Sequence, residues 1–226
     1  RNLIMYKKLL LSTAMSLLSL TVLAGENRKS FDINKNSLIE IYDLKDLNAI
    51  RDGISEYGEA SLYGLSQLCP ATNGCIGYEL MNDLDFDTNG DGKLDTKDAY
   101  WNDGLGWLPI KMVNGVELKL NGNGHLIKNL MINRPNADAV GLFGQAQNLT
   151  IHALGVTGPL LSVRGGMHTG IIAGNLISGS IDRVFTSGRV EGERVGGLFG
   201  SVNQVNIRAS FSTANVSGLI AQDVKS

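Results

Sequence analysis

The chain has 226 residues, 43% of them hydrophobic and 19% charged, with 28 Gly and only 4 Pro. Its formal net charge of −2 argues against nucleic acid or an anionic membrane surface as partner, since both are drawn to excess positive charge. Glycine this frequent without a collagen period, among scattered Val, Ile and Leu, favours a turn-rich β protein, and the length suits one sizeable domain with or without a smaller cap.

In chain order, the first element is a leader. Lys7 and Lys8 precede the apolar run LLLSTAMSLLSLTVLA, which ends in Val22, Leu23 and Ala24 before Gly25. A basic start, a short apolar middle and small residues at −3 and −1 predict a signal peptide over residues 1–24, cleaved after Ala24. Met5 is the expected start. The run is short and rich in Ser and Thr for a membrane span, an uncleaved anchor being the alternative. No Cys adjoins the cleavage point, which argues against a lipoprotein. The expectation is export to the surface, exterior or periplasm of a Gram-negative-type bacterium, with no stable membrane insertion after cleavage. Cleavage removes Arg1, Lys7 and Lys8 and no acid, so the net charge moves from −2 to −5.

Residues 25–110 read as an N-terminal cap. In DLKDLNAIRDGISEYG, Leu44, Leu47, Ile50 and Ile54 recur at helical spacing, and Asp43 can cap the helix with Asp46 three residues on. The two cysteines, Cys69 and Cys75 in LCPATNGCIG, most simply close a small disulfide loop in an exported protein. A metal site would need more ligands, and a redox pair a different spacing. Apolar runs at Tyr78–Met81 and Leu84–Phe86 predict strands.

They lead into Asp87–Asp98, DTNGDGKLDTKD, which fits the twelve-residue Ca²⁺ loop pattern. Asp87, Asn89 and Asp91 fill positions 1, 3 and 5. Gly92 supplies the turn, Lys93 its carbonyl, and Asp95 and Asp98 positions 9 and 12, with Leu94 pinning the loop to the core. A hard cation needs several oxygens converging at about 2.3–2.6 Å, which alternating short acids in a tight turn provide. The loop resembles dockerin-type loops in carrying Asp rather than Glu at position 12. A weaker copy at Asp32–Asp43, DINKNSLIEIYD, places Asp32, Asn34, Asn36, the Leu38 carbonyl, Glu40 and Asp43 in the same slots. Ser37 stands for the turn glycine and Ile39 matches Leu94. Ca²⁺ binding here competes with a plain turn before the helix.

From residue 111 the pattern changes to short apolar runs separated by Gly and Asn. LKLNGNGHLIKNLMINRP fits one coil, with a tight turn at Asn121–Gly124. Three later segments, VGLFGQAQNLTIHALGVTG, GIIAGNLISGSIDRVFTSGRVEG and GGLFGSVNQVNIRASFSTANVSG, superimpose when Gly144, Gly174 and Gly200 are aligned. Ile151, Ile181 and Ile207 then coincide, as do Leu142, Ile172 and Leu198, and Leu160, Val190 and Val216. Periods of this length with glycine at the corners predict a β-solenoid whose coils share one core, rather than a β-sandwich or barrel. Further coils are expected beyond Ser226.

These repeats resemble the GLUG-motif repeats of large bacterial secreted and surface proteins. YELMNDLDF, WNDGLGWLPI, LNGNGHLIKNLMI and VGLFG stand in the order of the entry into such a solenoid, and LIEIYDLKDLNAIR resembles its covering strand and helix. LPIK and GIIAG depart from the usual LPIG and GGLxG. The resemblance implies a right-handed parallel β-helix (all-β), export, and a role at the cell surface or in adhesion.

Enzyme signatures are poor: His125, His152 and His168 stand alone, without H-E-x-x-H or G-x-S-x-G. Asp182 with Arg183, and Glu191 with Glu193 and Arg194, are the only catalytic candidates, and a solvated outer face accounts for them. The expected function is therefore non-enzymatic, a calcium-stabilised adhesion, binding or structural module for an unidentified carbohydrate or protein ligand. A polysaccharide-active β-helix enzyme, or a stalk or passenger of a longer protein, is the alternative.

Overall fold

The computed structural model describes residues 32–53, 75–112 and 117–218. The expected leader, Ile54 of the helix and Cys69 of the disulfide lie outside the described residues.

Short strands follow one another around a repeating path. The path opens with β1 (Leu38–Ile41) and α1 (Leu44–Ala49), and the turn after them holds β2 (Gly77–Leu80), which pairs with β1, and β3 (Leu84–Asp85). The next holds β4 (Leu118–Asn121), β5 (Leu126–Lys128), β6 (Met131–Asn133), β7 (Ala139–Val140) and β8 (Phe143–Ala146). Then come β9 (Leu149–Thr157), β10 (Ser162–Arg164), β11 (His168–Gly170) and β12 (Ala173–Leu176). After them run β13 (Gly179–Thr186), β14 (Arg189–Gly192), β15 (Arg194–Gly196) and β16 (Phe199–Val202), and last β17 (Val205–Arg208), β18 (Phe211–Ser212) and β19 (Asn215–Gly218).

Equivalent strands of successive turns pair in parallel. They build a long sheet β1-β2-β4-β9-β13-β17 and three flanking sheets, β6-β10-β14-β19, β7-β11-β15 and β8-β12-β16. This is the parallel β-solenoid that the repeats predict. Ile151, Ile181 and Ile207 stand in one register column. The pairing of Phe143 with Ala173 and of Ala173 with Phe199 places Leu142, Ile172 and Leu198 in another. Ile151, Ile181, Leu142 and Ile172 are fully buried, each contributing about 1.5–3 kcal/mol against exposure.

One ladder differs from the sequence alignment. Val163, not Leu160, pairs with Val190, which pairs with Val216. Val163 lies twelve residues after Ile151, whereas Val190 lies nine after Ile181. The three additional residues are taken up at Gly158–Leu161, where Leu161 N donates to the Gly158 carbonyl and Leu160 N to Asn129 Oδ1. A gap-free alignment cannot see a corner insertion of that kind. The aligned glycines have a packing cause: a Cβ at Gly174 would sit 2.3 Å from Val140 N, and one at Gly200 2.3 Å from Thr169 N. Only a residue without a side chain allows that approach.

The cap and the coils share one sheet and one core, which runs from Ile39 to Val190. α1 closes the end. Asp43 Oδ1 accepts the N–H of Asp46, and Asp46 in turn accepts the N–H of Tyr42, so the orphan donors of the first turn are met. Leu44, Leu47 and Ile50 bury their side chains against the first turn. At the opposite end, Val202, Ile207, Phe211 and Val216 are 43–57% exposed among the described residues.

Candidate metal loops at the capped end

The Asp87–Asp98 loop begins directly after β3. Asn89 Oδ1 and Asp87 Oδ1 both accept the N–H of Asp91, at 2.8 and 3.2 Å. Asp87 Oδ2 accepts from Gly92 N at 2.9 Å, and Asp91 Oδ1 from Lys93 N at 3.1 Å. Gly90 and Gly92 take positive φ of 70° and 79°, which glycine adopts without penalty. Asp98 closes the loop: it accepts Thr88 N at 2.8 Å and Asp95 N at 2.9 Å. Burial pushes the Asp98 carboxyl up, but the N–H groups of Asp95, Thr88 and Asn89 and the Thr88 hydroxyl outweigh it and hold the group below the usual carboxylate range.

The Asp32–Asp43 segment repeats that skeleton bond for bond. Asp32 Oδ1 and Asn34 Oδ1 accept from Asn36 N, both at 3.0 Å. Asp32 Oδ2 accepts from Ser37 N at 2.9 Å, and Asn36 Oδ1 from Leu38 N at 2.8 Å. Lys35 and Ser37 take φ of 62° and 70° at the places of Gly90 and Gly92. The hydrophobic pins also correspond, Ile39 being buried and Leu94 partly buried against the core.

The closing residue differs. Asp43 at position 12 is engaged as the α1 cap. Glu40 takes over its work, with Oε1 accepting Ile33 N at 3.1 Å and Asn34 N at 3.0 Å, and Oε2 accepting the Tyr42 hydroxyl at 2.8 Å. A further acid arrives from β2. Glu79 Oε1 accepts the side-chain amides of Asn34 at 2.6 Å and Asn36 at 2.9 Å, and Oε2 that of Asn123 at 3.0 Å. Asp32, Glu40 and Glu79 are 0, 1 and 4% exposed. Glu79 escapes the motif because it lies more than forty residues along the chain. Its one sequence signal is a lone acid inside the apolar run GYEL.

The loops thus present carboxylate, amide and carbonyl oxygens around two similar turns, the donor set that suits a hard cation. Among the described residues no group of three or more His, Cys, Asp or Glu side chains is drawn together closely enough to hold a metal ion. Each loop instead spends its oxygens on its own N–H groups, and Asp91 pairs with Lys97 at 3.4 Å. Cys75 is buried beside the first loop.

The other sequence candidates lie elsewhere. His125 Nδ1 meets Asp83 Oδ1 at 3.2 Å beside the Asn121–Gly124 turn. Asp182 gathers His152 at 3.0 Å, Arg183 at 3.2 Å and Arg208 at 2.9 Å on the outside of the long sheet. The hydrogen bond from the Arg208 guanidinium, with Arg183 beside it, outweighs desolvation and holds Asp182 below the usual carboxylate range. Glu191 pairs with Arg164 at 3.2 Å.

No protein-family model matches the chain. Over 160 residues it is 35% identical to a halomucin of Haloquadratum walsbyi, a match that covers 69% of this chain. The chain spans 2% of the length of that relative. A Bacteroides ovatus protein of known structure, provisionally assigned as an immunoglobulin A1 protease, aligns with a TM-score of 0.38 and 14% identity over 81% of this chain and 68% of that one.

Proposed function

We propose that the chain is an exported β-solenoid module of the GLUG-repeat kind, held at its first turn by calcium and acting at the cell surface in adhesion or as a structural spacer. The observation that carries this reading is the duplicated Asx skeleton at the capped end. Two loops separated in sequence adopt the same backbone and the same inward hydrogen bonds, and each presents the oxygen donors a Ca²⁺ ion takes. Asp87, Asn89, Asp91, the Lys93 carbonyl, Asp95 and Asp98 would hold one ion. Asp32, Asn34, Asn36, the Leu38 carbonyl and Glu40 would hold a second, with Glu79 beside them in place of Asp43.

The electrostatics support the assignment. Glu40 and Glu79 are buried, and among the described residues neither forms an ion pair with Lys or Arg. Buried carboxylates are costly unless paired or bound to a metal. An ion at this end ties β1 and β2 to the loops and shields the first edge of the long sheet from pairing with other chains. The leader pattern and the halomucin match support an extracellular setting, where calcium is plentiful and a Cys69–Cys75 bridge persists.

Melting the purified chain with CaCl₂ and with EDTA tests the calcium clause. Calcium at about a hundred times its Kd adds about 2.7 kcal/mol, a rise of roughly 5–10 °C for a chain of this size. An unchanged Tm together with no heat of calcium binding in calorimetry overturns it. Antibody labelling of intact cells that carry the full-length protein tests the surface clause, and labelling only after lysis overturns that part.

A further inference from the structure

A cleft of about 540 Å³ lies on the outer face of the flanking sheet β6-β10-β14, beside the second metal loop. Its floor is two columns of outward side chains fixed by the strand register. Met131, Ser162 and Arg189 form one, and Asn133, Arg164 and Glu191 the other. Its wall is Leu94 and Trp101, and the chain places that wall deliberately. Trp107 N donates to the Met131 carbonyl at 2.8 Å and Asn133 N to the Leu105 carbonyl at 3.0 Å, with Gly106 bridging antiparallel to Ile132. Residues 105–107 therefore run as an extra edge beside β6, and Trp101, three residues past Asp98, stands over the first rung.

The chemistry of this cleft is mixed in an instructive way. Trp101 and Leu94 offer apolar surface on one side, while Asn133 and Ser162 offer hydrogen bonds to hydroxyls. Arg164 is paired with Glu191, but Arg189 forms no ion pair among the described residues. The cleft therefore carries one uncompensated guanidinium, a planar fork suited to carboxylate or sulfate. A single aromatic wall beside polar rungs suits a pyranose face. Parallel rungs about 4.8 Å apart are spaced close to the length of one hexose unit.

We infer that this cleft binds an acidic glycan, lying across β6, β10 and β14 with one sugar against Trp101 and an anionic group on Arg189. The inference rests on the adhesion reading and gives it a site and a ligand class.

The test uses the two tryptophans of the chain. Trp107 is fully buried with its indole N–H on the Leu142 carbonyl, so a ligand-dependent fluorescence change reports Trp101. The whole chain is titrated with an oligogalacturonate, with a sulfated oligogalactan, and with a neutral maltohexaose. The expected result is saturable quenching by an anionic oligosaccharide and binding at least about tenfold weaker for the neutral one. The stronger of the two acidic arms identifies uronate or sulfate as the anion. Arg189→Gln lowers that affinity about tenfold with an unchanged Tm, and W101F weakens it while removing the quench. Absence of binding to both acidic sugars, equal binding of the neutral sugar, or an unaltered affinity in R189Q overturns the inference. A chain that adheres to glycan-coated surfaces equally well with and without R189Q and W101F sinks this site alone. A chain that adheres to no glycan or cell surface sinks the adhesion reading beneath it.

Discussion

The Asp32 loop and the Asp87 loop share a backbone and differ in almost everything around it. In the first, a fully buried Asp32 sits under Glu40 and Glu79, and the turn position carries Ser37 at a φ of 70°. In the second, Asp91 is exposed, Asp87 and Asp95 are half-buried and only Asp98 is buried, and the same turn position carries Gly92 at 79°. The comparison teaches that the Asx pattern writes the turn through side chain to backbone bonds. Whether the turn becomes part of the core is decided by what packs on it. The first loop is built into the sheet edge, whereas the second follows β3 and is held to the core through Leu94 and the buried Asp98.

The largest effect that would break this comparison is removal of its first acceptor. Asp32→Ala strips a buried charged acceptor from two N–H groups and is expected to cost about 3 kcal/mol in EDTA, against about 1 kcal/mol for Asp87→Ala. Urea unfolding of both variants checks it, and equal losses would erase the distinction between a core loop and a surface loop. Next in size is the response to calcium. Replacing Asp87 and Asp91 together by Asn is expected to remove most of a stabilisation of about 2.7 kcal/mol at a hundredfold excess over Kd, because the exposed loop holds the greater share of charge. If the double variant melts like the parent in CaCl₂, the ion sits in the first loop instead.

Two reciprocal substitutions sharpen the likeness. Ser37→Gly relieves a left-handed serine and is expected to stabilise by about 1 kcal/mol. Gly92→Ala, where an added Cβ meets nothing within 4 Å, is expected to cost about the same through backbone strain alone. Opposite signs in thermal melting confirm that the two turns are one conformation, and matching signs refute it. The smallest effect is on the acid limb. Asp98 has a folded-state pKa below its unfolded value, so its contribution is present above the ordinary Asp pKa of about 3.9 and is lost as pH falls through the folded value. Melting between about pH 5 and pH 2 is expected to show a shallower decline in Asp98→Asn than in the parent, and superimposable curves would contradict the role given to its four donors.

Much of this could be read before any coordinates. Glycine anchors and apolar ladders at a near-constant spacing specify a solenoid because a coil cannot bury its own face, and the register of Ile151, Ile181 and Ile207 follows from that. The helix after Asp43 and the two Asx patterns are likewise local, written within a dozen residues. The Val163 ladder was not legible, because a corner can absorb three residues without disturbing the strands on either side.

The sequence by itself determined the period of the coils, the inward faces, and which short segments turn on their own side chains, since all of these are near-neighbour physics. Only the tertiary structure decided that Glu79 joins the first loop and Glu40 replaces Asp43. It alone set Trp101 over the rungs of β6, β10 and β14 and left Arg189 without a carboxylate partner among the described residues. Glu79 reaches the first loop across 45 positions and Trp107 meets Met131 across more than twenty, whereas the replacement of Asp43 by Glu40 is local but depends on Asp43 being taken up as the α1 cap.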